Sequence, residues 1–187
     1  MLTYFLLGSG VKYVDAAYDD DTFSRRWASY LAILLGLVTG TAMIWDQPTF
    51  IIFLSLIIGV TITGKLDIVP FRILVGVAIL LPSCYYGFAP PLARGDWKLV
   101  LMLSIGAAID EIGNDLADAN ILKRKLRLFF LYRGYLKALI GLIAIFHYLR
   151  LPYAIAFLSF DMGYLLVTRA SEKRIARLNF DSTFQVR

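Results

Sequence analysis

Apolar runs close to the length of a membrane-crossing helix recur along this chain, separated by short polar turns. A helix needs about 20 predominantly apolar residues to cross the hydrocarbon core of a bilayer. Such runs extend from about Leu2 to Tyr18, Trp27 to Trp45, Pro48 to Gly64, Phe71 to Phe88 and Trp97 to Ala117. Two more follow, one ending near His147 and one starting at Pro152. Hydrophobic residues make up 59% of the chain, against the roughly 45–50% apolar share of soluble domains. The expected fold is an all-α integral membrane protein of about seven transmembrane helices, one helical domain over 1–187.

Lysine and arginine orient the bundle. The loops after the first, third and fifth runs hold Arg25, Arg26, Lys65, Arg72, Lys123, Arg124, Lys125 and Arg127. The tail adds Arg169, Lys173, Arg174, Arg177 and Arg187, whereas the opposite loops hold only Arg94, Lys98 and Arg150. By the positive-inside rule the N-terminus is expected outside, with the first set of loops and the tail cytoplasmic. Trp27, Trp45 and Trp97 fall at the boundaries, where an aromatic belt sits. Topology thus accounts for the net charge of +5, and nucleic acid is not expected as a partner. The segment ILKRKLRLFFLYRGY is basic and partly amphipathic, suited to the membrane interface before the sixth run. Cys84 and His147 each stand alone, which excludes a disulfide, a thiolate metal site or a multi-histidine centre.

The two halves resemble one another. QPTFIIFLSLIIG from Gln47 parallels LPYAIAFLSFDMG from Leu151, and LLGLVTG at Leu34 parallels LIGLIAI at Leu139. Halves of about 1–66 and 97–170 then form two parallel three-helix repeats. One linker helix, about 70–88, joins them, and a basic tail follows over 170–187. An odd linker relates the repeats by an axis along the membrane normal.

Against this apolar background, DEIGNDLAD places Asp110, Glu111, Asn114, Asp115 and Asp118 at the inner end of the fifth run. DAAYDDD, from Asp15 to Asp21, ends the first run in the same way. Carboxylates at such depth need a cation, a basic partner or water. At 100° per residue Asp110, Asn114 and Asp118 share a helix face, as do Lys12, Asp15 and Asp19, with Asp20 beside them. Two acidic stripes facing one cavity offer hard oxygen ligands suited to magnesium, and Lys12 is placed to pair with Asp15. Asp161, inside the seventh run, calls for an inward-facing partner.

These motifs, in a repeated bundle with acids on two cytoplasmic loops, resemble the UbiA superfamily of intramembrane prenyltransferases. Asn114-Asp115-Leu116-Ala117-Asp118 matches the family's NDxxD, and Asp15 with Asp19 gives a DxxxD spacing. The family has about nine helices; without its first and last, seven remain as three, one and three. The literal NDxxD falls in the second half, and the first cluster carries no asparagine. The resemblance implies that Asp15, Asp19, Asp115 and Asp118 are catalytic and hold Mg2+ on an isoprenoid diphosphate, with Asp20 and Asp110 as further ligands. It implies a substrate-binding set of Arg26, Lys65, Lys123 and Arg127, to which Lys12, Arg72 and Asn114 are added. The implied reaction transfers the isoprenoid to a lipophilic acceptor in the bilayer. The alternative is a small membrane transporter or cation channel with an acidic cytoplasmic cavity, for which Asp161 speaks most.

Overall fold

The computed structural model describes residues 1–87, 90–93 and 95–185, of which 178–185 by helical backbone alone. Phe88, Arg94 and Arg187, used above to bound the fourth run and to weigh the loops, lie outside the described residues. Those described form eight α-helices and no strand: α1 (Leu2–Tyr18), α2 (Arg25–Trp45), α3 (Gln47–Ile62), α4 (Val69–Tyr86), α5 (Asp96–Asp118), α6 (Arg124–Leu131), α7 (Gly134–Ile145) and α8 (Leu151–Gln185).

By length and apolar composition α2, α4 and the Leu151–Arg177 part of α8 qualify as membrane spans, and α6 with α7 qualifies as a fourth, broken one. The other helices fall short for visible reasons. α3 is apolar but has only 16 residues, α1 carries Lys12 and Asp15, and α5 ends in its four acids. The sixth run is two helices, bent by 67° at Tyr132 and Arg133. Arg133 takes the left-handed conformation there (φ +48°), uncommon for a residue other than glycine. The basic tail is not a separate element, since α8 continues through it. A change of composition marks the end of an apolar stretch and need not end a helix.

α1 and α8 lie side by side in the same direction, as do α3 and α5, and both crossings are made by small residues. A Cβ at Gly8 would stand 1.9 Å from the Phe160 carbonyl oxygen, and one at Gly163 2.2 Å from that of Phe5. On the other pair, a Cβ at Gly59 would meet Ala107 at 2.5 Å and the Ser104 carbonyl oxygen at 3.1 Å. Such close backbone approach is what glycine permits between apolar helices. α2 packs along α4 through Gly36 and Gly40, which sit on Leu74, Val77 and Leu81. The four parallel helices are tied at their starts. Asp46 accepts from Thr49 N (3.0 Å) to cap α3, and its other oxygen accepts from the Tyr153 hydroxyl of α8 (2.6 Å). Tyr4 of α1 donates to Thr49 Oγ1 (2.9 Å), and Gln47 of α3 to Asp96 of α5 (2.6 Å). With their starts pinned together, these helices carry both acidic stretches to the same opposite end of the bundle.

Candidate functional site

At that end the two acidic helix ends meet in one charged cluster. Tyr164 of α8 is its centre: Lys12 Nζ lies 5.5 Å from the ring centroid and Arg133 Cζ 4.7 Å. Cations on an aromatic face gain roughly 0.5–2 kcal/mol each, more when desolvated. Each has a carboxylate as well. Lys12 is paired with Asp15 of α1, and Arg133 Nη2 donates to Glu111 of α5 at 2.5 Å. Lys65, in the α3–α4 loop, pairs with Asp115 of α5 and also feels the fields of Glu111 and Asp15. One turn earlier on α8, Asp161 accepts from Lys137 of α7 at 2.6 Å, the inward partner its depth requires.

Electrostatics differ between the paired and unpaired members. Burial alone would pull the Lys65 ammonium down, but Asp115, through its hydrogen bond and its charge, holds it above the ordinary lysine value. Its stabilising contribution is complete below the unfolded lysine's value and is lost only as pH rises through the raised one. Asp19 behaves oppositely: partial burial, then the charges of Asp15 and Asp67, push its carboxyl above the usual range. The folded state therefore holds this proton more tightly than the unfolded chain, and stability falls as pH climbs from the ordinary carboxylate value through the raised one. Asp19→Asn should raise the thermal midpoint at neutral pH, with the gain vanishing in acid. A midpoint pH series that leaves the two proteins parallel would contradict this assignment.

The remaining expected site residues have local roles. Both oxygens of Asp110, 2% exposed, accept backbone amides at the start of α7, Tyr135 N at 3.1 Å and Leu136 N at 2.7 Å. A neighbouring helix thereby caps α7 and meets the partial positive charge of its N-terminus. Asp110→Ala should cost about 3 kcal/mol by stranding two buried amides, with Asp110→Asn intermediate because one acceptor survives. Detergent unfolding and hydrogen exchange at Tyr135 and Leu136 read this out. Asp20 accepts from Ser171 of α8 at 3.1 Å, and Ser171 also meets Thr22, fixing the α1–α2 turn on α8. Asn114 donates to Asp118 at 3.3 Å, one turn on along α5. Arg72 is engaged by the Leu66 and Asp67 carbonyl oxygens and shapes the loop that carries Lys65. Arg26, Lys123 and Arg127 are exposed and form no ion pair with the described residues.

Two members of the cluster, Arg133 and Tyr164, lie outside the expected site, and Glu111 of the acidic stretch is not among its expected ligands. Their signals were present in the sequence: an arginine inside the apolar FFLYRGYLKALIG, and a tyrosine one turn after Asp161. No three His, Cys, Asp or Glu side chains among the described residues converge closely enough to hold a metal ion unaided. Magnesium commonly binds through one or two carboxylates, with substrate phosphates and water completing the shell. The hard oxygens of Asp15, Asp19, Asp115 and Asp118 suit that mode of binding and not a cage built from protein alone. Comparison with protein-family models, with curated proteins and with solved structures found no match.

Proposed function

We propose that this chain is an intramembrane prenyltransferase of the UbiA type, a seven-helix bundle of two parallel three-helix repeats. The observation that carries the reading is the single cluster in which Lys12, paired with Asp15, and Arg133, paired with Glu111, meet on the ring of Tyr164. The packing supports the repeat: α1 lies on α8 as α5 lies on α3, α1 on α2 as α5 on α7, and α2 on α3 as α7 on α8. Gly59 and Gly163, equivalent in the aligned sequences, each seat on the first helix of the other half.

The substrate is an isoprenoid diphosphate whose head enters the cluster while its chain lies among the apolar helices. Lys12, Lys65 and Arg133 each spend one donor on a carboxylate and keep others. The three side chains keep 16%, 39% and 27% of their surface exposed, which leaves them within reach of phosphate oxygens. Asp15, Asp19, Asp115 and Asp118 would hold Mg2+, which when bound neutralises the diphosphate and makes it a better leaving group. On arrival of the head group the lysines and Arg133 exchange their carboxylate partners for phosphate oxygens, which frees the carboxylates. Fixed cations then face the charge that grows on the departing pyrophosphate, and a lipophilic acceptor takes the isoprenoid.

Incubation of the purified chain with isoprenoid diphosphates of several lengths, Mg2+ and a lipid extract tests this. Metal-dependent pyrophosphate release is expected, falling about 100-fold or more in Asp115→Asn. Release that persists unchanged in Asp115→Asn and Asp118→Asn would contradict the site. A second reading, a small transporter, draws on the Lys137–Asp161 pair between α7 and α8. Cation-stimulated flux in vesicles, without pyrophosphate release, would favour it.

A further inference from the structure

The helix α6 is unlike the others, since none of its residues is buried. Leu126, Phe129 and Phe130 share one face at i, i+3 and i+4; Arg124 stands opposite, between Leu128 and Leu131, and Lys125 and Arg127 lie on the two flanks. Phe130 fills the notch that Gly113 leaves on α5, and one side of the Phe129 ring lies over Gly134 at the start of α7. Leu126 and Phe129 remain 51% and 41% exposed. Lys123, Arg124, Lys125 and Arg127 form no ion pair and no side-chain hydrogen bond with the described residues. The two helices meet at 67°, so α6 would lie closer to the membrane plane than to its normal where α7 follows that normal. An apolar face with cations on its flanks and behind it, bent steeply away from the next helix, suits an interfacial helix.

We propose that α6 is a docking surface for anionic phospholipids of the bilayer, with Leu126 and Phe129 among the upper acyl chains and Lys123, Arg124, Lys125 and Arg127 on the headgroup phosphates. Charge complementarity selects the lipid class. Each basic residue near an anionic surface adds about 1 kcal/mol, roughly a fivefold enrichment. The docking also bears on the charged cluster, because Arg133 follows directly on this helix and reaches Glu111.

The test uses the full chain with a single reporter, Leu126→Trp, in a background of Trp27→Phe, Trp45→Phe and Trp97→Phe. It is reconstituted into phosphatidylcholine vesicles containing either brominated phosphatidylcholine or brominated phosphatidylglycerol at equal mole fraction. The introduced indole should be quenched at least about twofold more strongly by the anionic lipid. That preference should disappear in the Lys123→Gln, Arg124→Gln, Lys125→Gln, Arg127→Gln protein and shrink in high salt, which screens surface charge. Salt is read on the unaltered basic residues, so that arm does not depend on the fourfold variant folding. Equal quenching by both lipids would overturn the selection of anionic headgroups, and absence of quenching by either would overturn the interfacial placement.

Discussion

Alanine at Gly8 or at Gly163 is expected to cost this bundle about 3 kcal/mol or more, although the change adds a single methyl group. The new Cβ would lie 1.9 Å from the Phe160 carbonyl oxygen in the first case and 2.2 Å from the Phe5 carbonyl oxygen in the second. Both obstacles are backbone, which cannot turn aside as a side chain can, so α1 and α8 must separate. Gly59→Ala should part α3 and α5 in the same way, since the Ala107 Cβ at 2.5 Å is fixed to its backbone and cannot turn aside. Gly76 and Gly141 face open space, and alanine there should be neutral or stabilising by up to about 1 kcal/mol through helix propensity. Thermal or dodecyl-sulfate unfolding in mild detergent ranks the five variants. A Gly8→Ala protein as stable as Gly141→Ala would refute the α1–α8 crossing.

Arg133→Ala is expected to damage the charged end about as much as Asp110→Ala. Its guanidinium joins Glu111 of α5 to Tyr164 of α8 and holds the break between α6 and α7. With Glu111 only 8% exposed at its side chain, loss of the arginine leaves a nearly buried carboxylate unpaired, at about 3 kcal/mol. Glu111→Gln in the same background should recover part of the loss by removing that orphaned charge. Lysine at 133 keeps the charge and loses the planar fork, so it should fall between wild type and alanine. Unfolding midpoints of Arg133→Ala, Arg133→Lys and Arg133→Ala with Glu111→Gln decide this. Equal midpoints for all three would show that the pair carries no stability.

Much of the helical plan could be read from the chain because apolar runs, tryptophans and prolines mark helix positions locally. Pro48 and Pro152 open α3 and α8 as their sequence positions imply, and Lys12 pairs with Asp15 three residues away. What escaped depended on contacts distant in sequence. Asp110 looked like a metal ligand beside Asp115, yet its oxygens hold amides 25 and 26 residues further on. Arg133 stands in an apolar stretch that asks for a partner, but nothing local says that the partner is Glu111, 22 residues earlier. The break there is equally silent, since a left-handed arginine has no compositional signature. α8 continues where charge suggested only a tail, because a helix need not end where its composition turns from apolar to charged.

The account rests on carboxylates from both halves serving one site, and metal binding tests this most directly. Mn2+ in place of Mg2+, with an isoprenoid thiodiphosphate that resists ionisation, can be titrated onto the purified chain and followed by electron paramagnetic resonance. Bound Mn2+ should couple to phosphorus, and binding should weaken sharply both in Asp15→Asn, on α1, and in Asp115→Asn, on α5. Binding that responds to only one of the two helix ends, or that shows no phosphorus coupling, would contradict a shared diphosphate site.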